Sequence, residues 1–214
     1  MKKLISIMCL TAVIFSACTS SINASDSVEE IISNDIPTNE IKLFNLETNY
    51  TELMVDAAVS GDIELGKRLE RERSLKKEYL GISDDLTFAD LYLLAKIVEV
   101  EAGSTWIAIE HKKLVASVVI NRVNSPEFPN TVYDVVYQEN QYADVGTEWF
   151  NSLVPSESSV RVALDVLLNG SIAPETVVFQ AEFEQGSKIY KTFSPKRLGI
   201  TYFCHSSYPE LYED

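Results

Sequence analysis

The sequence predicts an α+β fold that is mainly helical, with a small antiparallel β-sheet near the C-terminus. Between residues 49 and 170 most segments repeat apolar residues at helical spacing and are bounded by capping residues or glycines. After residue 177 the apolar residues alternate with polar ones, which is typical of strands. The 214 residues suffice for one domain with a real core, but hardly for two.

Residues 1–17 have the pattern of a signal peptide. Lys2 and Lys3 precede an apolar run over residues 4–15, and the small residues Ser16 and Ala17 follow it. The run is too short to span a bilayer as a transmembrane helix. We therefore expect the protein to be exported.

The end of this segment, Phe15-Ser16-Ala17-Cys18, resembles the lipobox of bacterial lipoproteins. The resemblance implies that Cys18 is lipidated and becomes the first residue of a membrane-anchored lipoprotein, because several lipid chains anchor firmly. The alternative is ordinary cleavage nearby, for instance after Ala24, and a freely secreted protein. Cys204 is not expected to form a disulfide unless Cys18 stays free and reaches it.

The acidic charge limits the possible partners. Residues 18–47 lack a sustained period and predict a flexible acidic tether. The whole chain has a formal net charge of −14. Such a chain repels polyanions, so nucleic acid is not expected as a partner. Contact with the membrane is expected only through the N-terminal lipid anchor.

The helical part begins with a predicted N-terminal extension over residues 48–85. It contains one short helix over about 51–59 and a longer one over 63–80, which Gly61 and Gly81 end. The next two helices are predicted at 87–102 and 106–123, and the second is apolar on more than one side. A short helical piece at 131–137 and an amphipathic helix that begins after Ser156 complete this part.

The C-terminal part predicts three strands, over about residues 177–183, 188–193 and 200–205. The turn sequence Gln185-Gly186-Ser187 separates the first two. Three short strands in a row suggest an antiparallel meander packed on the helices. Residues 206–214 are expected to be an acidic tail.

Glu101 occupies an unusual position on the third helix. At 100° per residue, Leu94 lies about 20° and Ile97 about 40° from it, so that Glu101 is centred on the apolar face. Glu99 falls on the opposite side, which we expect to be solvated. A carboxyl group on an apolar face is either paired or kept protonated by desolvation.

Two interpretations of Glu101 follow. It is a core glutamate paired with an arginine such as Arg122 or with backbone amides, or it is a catalytic acid with a raised pKa at the mouth of a cleft.

Other chemistries have little support. His111 and His205 lack metal-ligand spacing, no Gly-x-Ser-x-Gly turn is present, and Cys204 cannot pair with the adjacent His205 because strand neighbours point to opposite faces. No metal and no cofactor are expected.

Four segments resemble the cell-wall hydrolase family of the spore-cortex-lytic enzymes (SleB type). They are Leu94-Ala-Lys-Ile-Val-Glu-Val-Glu-Ala-Gly-Ser104, Val118-Val-Ile-Asn-Arg-Val-Asn-Ser-Pro-Glu-Phe-Pro-Asn130, Thr131-Val-Tyr-Asp-Val-Val-Tyr-Gln-Glu-Asn-Gln-Tyr142 and Val177-Val-Phe-Gln-Ala-Glu-Phe183. The resemblance covers roughly residues 86–205, which we take as a cell-wall hydrolase domain. The chain departs from it at Gly103-Ser104, where many members have Arg-Gly.

The resemblance implies a lysozyme-like, mainly helical domain that cleaves the glycan strands of peptidoglycan, with Glu101 as the catalytic acid. A single acid suits a lytic transglycosylase, in which the muramoyl 6-hydroxyl closes a ring after Glu101 turns base. Glu182 or Glu184, beside the turn, is the candidate for a second carboxyl group. We expect the protein to act as a monomer.

Polar residues on otherwise apolar elements are the candidates for substrate binding, because amides and aromatic rings suit sugars. They are Asn121, Gln141, Tyr142, Gln180 and Tyr202. Two other functions remain open. One is a catalytically inactive peptidoglycan-binding lipoprotein, and the other is an amidase or peptidase of the same wall.

Overall fold

The structure is a computed structural model that describes residues 44–195 and 199–213. The predicted signal peptide, Cys18 and nearly all of the predicted tether lie outside the described residues. From Phe44 onward the chain forms one compact unit. Its helices are α1 (Tyr50–Ser60), α2 (Ile63–Leu80), α3 (Phe88–Ala102), α4 (Ile109–Val123), α5 (Val132–Val136), α6 (Glu148–Ser152) and α7 (Glu157–Asn169). Its strands are β1 (Val177–Ala181), β2 (Ile189–Phe193) and β3 (Thr201–His205), and a 3₁₀ turn spans Pro209–Tyr212. The fold is thus mainly helical with a small antiparallel sheet near the C-terminus, as predicted.

Helix α3 lies at the centre of the unit and packs against both α4 and α7. Its N-terminus is capped by Thr87, whose Oγ1 accepts from the backbone N–H of Asp90 at 3.0 Å. The apolar side chains that fill its core face are buried to within 1 % exposure: Phe88, Leu91, Leu94, Ile97 and Val98. This central packing fixes the position of whatever follows at the C-terminal end of α3.

Helices α1 and α2 are built into the same core. Met54, Val55, Ala57 and Ala58 of α1 are fully buried. The carboxylate of Glu70 on α2 accepts from the backbone N–H of Phe88 at 3.0 Å. Arg73 of α2 pairs with Asp84 at 2.7 Å, and the pKa of Asp84 is lowered to about 2 because the hydrogen bonds from Arg73 and Lys77 outweigh the effect of burial.

Helix α4 begins three residues later than the sequence predicts. The backbone N–H of Ile107 donates to the carbonyl of Ser104 at 3.1 Å, so the chain makes a tight turn between α3 and α4. This turn leaves Trp106 47 % exposed. The second half of α4 is buried on several sides, as expected, with Leu114, Val118 and Val119 at its centre.

The sheet does not have the order of a meander, and that prediction was wrong. The strand order is β1-β3-β2, with β3 antiparallel to both neighbours. The loop after β1 does not close a hairpin with β2, and Gly186 in this loop packs against the end of β3. A Cβ atom there would lie 1.9 Å from the carbonyl oxygen of His205. The backbone N–H of His205 donates to the Lys188 carbonyl at 2.9 Å, which extends the pairing of β3 with β2.

The C-terminal residues also contact the domain. The hydroxyl of Tyr212 lies 2.6 Å from the hydroxyl of Ser125 and donates to the carboxylate of Glu127 at 2.7 Å. Burial and the charge of Glu127 raise the pKa of Tyr212 to about 12. The residues expected to be an acidic tail are therefore held, up to Tyr212, against the loop between α4 and α5.

Candidate active site

A surface cleft of about 460 Å³ lies at the C-terminal end of α3, and residues 99–107 line it. The end of α3 and the turn before α4 form its wall. Trp106 offers an exposed aromatic face to this cleft. Such a face, together with polar groups, suits the binding of sugar rings.

Glu101 lines this cleft, and a residue of the sheet forms a hydrogen bond with its carboxyl group. Gln180, on β1, donates from Nε2 to Oε2 of Glu101 at 2.9 Å. The Oε1 atom of Gln180 is buried and has no hydrogen-bond partner in the described part of the chain. The structure thus brings together two residues that lie far apart in the sequence and that were both candidates.

The surroundings of Glu101 favour its protonated form. Burial raises the pKa of this carboxyl group, and the negative charge of Asp144 raises it further. The hydrogen bond from Gln180 and the charge of Arg122 act in the opposite direction, but the pKa remains raised. A carboxyl group of this kind can donate a proton at a higher pH than an exposed glutamate can.

Arg122 does not neutralise Glu101 by direct pairing. Its Nε donates to the carbonyl oxygen of Val178 at 2.7 Å, and its guanidinium group lies 4.9 Å from the ring centre of Phe128. No ion pair joins it to Glu101 among the residues that the structure describes. The interpretation of Glu101 as a core glutamate paired with Arg122 therefore has no contact to support it.

Tyr142 lies in the same electrostatic environment. Burial raises the pKa of its hydroxyl, the charge of Arg122 lowers it, and the charge of Glu101 raises it again. Its ring centre is 5.8 Å from the guanidinium carbon of Arg122. Gln141, the neighbouring candidate, is exposed, and no hydrogen bond joins its side chain to Glu101 in the described residues.

Two other candidates point elsewhere. Asn121 is 3 % exposed, and its Nδ2 donates to the carbonyls of Pro174 and Val177 at 2.8 and 2.9 Å. These hydrogen bonds join α4 to the start of β1, and the side chain of Asn121 does not face the cleft. Tyr202 pairs with Ala181 in the sheet, so alternation places it on the face opposite to Gln180.

The structure also identifies two residues that sequence reasoning missed. Asp144, although exposed, is the carboxylate whose charge raises the pKa of Glu101, whereas Glu182 and Glu184, which are also exposed, are not among the causes of that shift. Trp106 was assigned to a helix and instead lines the cleft. The sequence offers one weak signal for each: Asp144 closely follows Gln141-Tyr142, and Trp106 follows the break at Gly103-Ser104.

Glu99 lies on the side of α3 opposite to Glu101, as expected, but it is half-buried instead of fully solvated because α7 packs against this side. Its carboxylate accepts hydrogen bonds at the N-terminus of α7 from the backbone N–H and hydroxyl of Ser156 and from the hydroxyl of Ser159. Burial acts to raise the pKa of Glu99, but these hydrogen bonds prevail and lower it. Helix periodicity placed Glu99 opposite Glu101 correctly, but it could not show that α7 packs there.

The histidines and the cysteine lie within packed elements. His111 is 2 % exposed, and its ring stacks on Phe193 at 4.5 Å. Nδ1 of His205 shares a hydrogen bond with Thr176, and Cys204 is buried and free. Within residues 44–195 and 199–213 no three His, Cys, Asp or Glu side chains cluster in a way that could hold a metal ion. No helix in the same ranges is both long enough and apolar enough to cross a bilayer.

Comparison with known proteins points to one family. Residues 108–204 match the family described as Cell Wall Hydrolase. The spore cortex-lytic enzyme of Halalkalibacterium halodurans is 30 % identical over 128 residues, which are 58 % of this chain and 36 % of that enzyme. The chain thus spans about a third of the length of this curated relative. Glu101 itself precedes the segment that the family model matches.

Two solved structures are similar as well. The catalytic domain of the Bacillus cereus SleB protein has a TM-score of 0.44 and 24 % identity, covering 57 % of this chain and 94 % of that domain. The catalytic domain of the germination-specific lytic transglycosylase SleB from Bacillus anthracis has a TM-score of 0.44 and 22 % identity, covering 57 % of this chain and 99 % of that domain.

Proposed function

We propose that this chain, which carries a cell wall hydrolase domain, is an enzyme that cleaves the glycan strands of peptidoglycan with Glu101 as its general acid and base. The curated relative is named for lysis of the spore cortex. Because the match covers only part of that enzyme, its substrate is carried to this chain as part of the proposal. The chemistry of the cleft supports the same substrate class.

One observation carries the proposal. A glutamate stands at a cleft of about 460 Å³ where burial raises its pKa and a single amide group holds its carboxyl oxygen. A neutral carboxylic acid is what a glycosidic oxygen needs as it leaves, since the leaving oxygen must gain a proton. The exposed ring of Trp106 gives the same cleft a surface for a sugar.

The proposed reaction is that of a lytic transglycosylase. Glu101 gives its proton to the glycosidic oxygen beyond a muramoyl residue, and the bond from that oxygen to the muramoyl C1 breaks with an oxocarbenium-like transition state. The Glu101 carboxylate then takes the proton of the muramoyl 6-hydroxyl, whose oxygen bonds to C1 and closes an anhydro ring. Gln180 donates to the carboxylate while it is charged.

Asp144, an exposed carboxylate that is not among the residues 99–107 lining the cleft, is the residue on which a second candidate outcome rests. It is the carboxylate whose charge acts on Glu101, and a second carboxylate can hold an attacking water in a glycosidase. In that case water would replace the 6-hydroxyl as nucleophile, and the products would carry reducing muramic ends. The products of the reaction distinguish the two outcomes.

We further propose that the protein acts outside the cytoplasm, as a lipoprotein anchored through Cys18 or as a secreted protein. The argument is the pattern of residues 1–18 and the location of the proposed substrate. Metabolic labelling with a fatty acid would test it. Loss of the label in Cys18→Ala supports the anchor, and an unlabelled wild-type protein in the culture medium supports secretion.

Digestion of purified peptidoglycan, with products identified by mass spectrometry, tests the catalytic proposal. Wild type should release anhydromuropeptides, and Glu101→Gln should lower the rate by roughly 10²–10⁴-fold because an amide cannot transfer the proton. Glu78→Gln, an exposed glutamate on α2, is the matched control and should retain full activity. Bound but uncut glycan with all three proteins would favour an inactive binding protein, and cleaved peptides would favour an amidase or peptidase.

A further inference from the structure

The end of α3 is attached to the first turn of α7 on both sides of Glu101. On the N-terminal side, Oε2 of Glu99 accepts from the backbone N–H of Ser156 at 3.0 Å and from the hydroxyls of Ser156 and Ser159 at 2.6 and 2.7 Å. Three donors on one carboxylate oxygen form a strong, charge-assisted attachment. The positive end of the helix dipole of α7 adds to it.

On the C-terminal side the attachment runs through Lys112. This lysine is 1 % exposed, and its Nζ lies 3.4 Å from the carbonyl oxygen of Gly103 and 3.2 Å from the hydroxyl of Ser158. Its charge also lowers the pKa of Glu99, so the two attachments stabilise each other. Burying an ammonium group costs free energy unless hydrogen-bond acceptors lie around it. The two acceptors therefore define the position of Nζ.

Glycine at position 103 belongs to the same arrangement. A Cβ atom at Gly103 would lie 2.5 Å from Oε1 of Glu99 and 2.3 Å from the Glu99 carbonyl oxygen. The Glu99 side chain therefore occupies the space in which any side chain at position 103 would begin. A residue other than glycine at position 103 would therefore require both the Glu99 side chain and the local backbone to shift.

We infer that Glu99 is a positioning residue that, together with Lys112, fixes the carboxyl group of Glu101 relative to the cleft through the first turn of α7. The inference rests on the proposed function. Glu101 lies between the two attached positions, so its backbone can shift only if one attachment breaks. A displacement of about 1 Å at a catalytic group can lower the rate by about 100-fold.

The test compares Glu99→Ala with Asp62→Ala in the whole protein. Asp62 caps α2 with the same chemistry, accepting from the backbone N–H of Leu65 at 2.9 Å, but it belongs to neither the cleft nor α7. Both variants lose a carboxylate from a helix N-terminus. Kinetics on soluble, peptide-free glycan strands, measured well below each variant's melting temperature, separate a positioning effect from a stability effect.

We expect Glu99→Ala to lower kcat by roughly 10–100-fold with KM within about twofold, and Asp62→Ala to leave both near wild type. Glu99→Gln, whose amide oxygen can still accept from the two serines, should recover part of kcat. A Glu99→Ala enzyme with wild-type kcat overturns the inference, and so does a raised KM with unchanged kcat, which would mean that Glu99 binds substrate.

If Glu99→Ala does not fold, Ser159→Ala gives the same test in a milder form. Ser159 is fully buried and contributes one of the three donors, so its loss should lower kcat severalfold with little change in KM. Unchanged kcat in this variant would count against the inference. Failure of the proposed function looks different, because Glu101→Gln would then be as active, or as inactive, as wild type.

Discussion

Glu101 is subject to opposing electrostatic influences. Burial and Asp144 raise its pKa, while Gln180 and Arg122 lower it, so that the carboxyl group stays protonated above its usual range without being inert as a base. Such a balance suits a residue that must both give and take a proton. The pH dependence of the rate should therefore measure how these neighbours change the pKa of Glu101.

Asp144→Asn should move the alkaline limb of the pH profile of kcat/KM to lower pH. The negative charge of Asp144 raises the pKa of Glu101, so its removal lowers that pKa, and the acid loses its proton earlier as pH rises. Asp85→Asn, an exposed carboxylate before α3, is the control and should leave the limb in place. A limb that does not move in Asp144→Asn would show that the charge of Asp144 does not act on the catalytic acid.

At this scale the sequence pointed to Glu101 as a candidate but showed little of its surroundings. Glu101 could be found because helix periodicity alone places it on a buried face. Asp144 and Trp106 could not, since both lie in turns whose position depends on tertiary packing. The partnership of Glu101 with Gln180 joins residues in different elements, and only the packing of β1 on the helices brings them together.

At the scale of elements, the contact between α4 and β1 determines where Gln180 lies. Asn121 forms this contact by binding the carbonyls of Pro174 and Val177 at and just before the start of β1. Arg122 continues it at Val178. These side chains of α4 donate hydrogen bonds to carbonyl groups of β1 and of the residues before it. They thereby fix the position of the strand relative to the helix.

Asn121→Ala should therefore destabilise the protein by roughly 2–4 kcal/mol, because two buried carbonyl groups lose their donor. Urea unfolding measures this change. Ser117→Ala, also on α4, loses one hydrogen bond from the backbone N–H of Ile172 and should cost about half as much. Unchanged stability with a raised KM would instead favour the predicted role of Asn121 in substrate binding.

The elements themselves were largely predictable, and their arrangement was not. Caps and glycines marked the ends of α2, α3 and α7 because these signals are local. The order of the strands was missed because alternation shows that a segment is a strand but not which strand lies beside it. In the folded protein β3 lies between β1 and β2, and Gly186 lies against its end.

At the scale of the whole molecule, the cell wall hydrolase match and the folded unit have different extents. The family model covers residues 108–204, whereas the compact unit begins at Phe44. Helices α1 and α2 bury apolar residues against α3, which carries Glu101. The N-terminal extension predicted over residues 48–85 is therefore in direct contact with the helix that carries Glu101.

A shortened protein that begins at Leu86 should fail to fold. It would expose the surfaces of Phe88 and Leu91 that α1 and α2 cover, and it would lose the pair between Arg73 and Asp84. Thermal unfolding followed by circular dichroism should show no cooperative transition, while a protein that begins at Phe44 should give one. A cooperative transition at the same temperature in both would mean that the two helices are dispensable.

The strand order has a consequence for the time at which the protein becomes active. Synthesis delivers the chain from its N-terminus, yet β1 has β3 as its partner in the sheet, and β3 follows both other strands in the sequence. Gln180 thus receives its support only after residues 201–205 have emerged. We expect the nascent chain to remain without its completed site until β3 has emerged and paired with β1, so that the proposed activity would begin only after the sheet has formed.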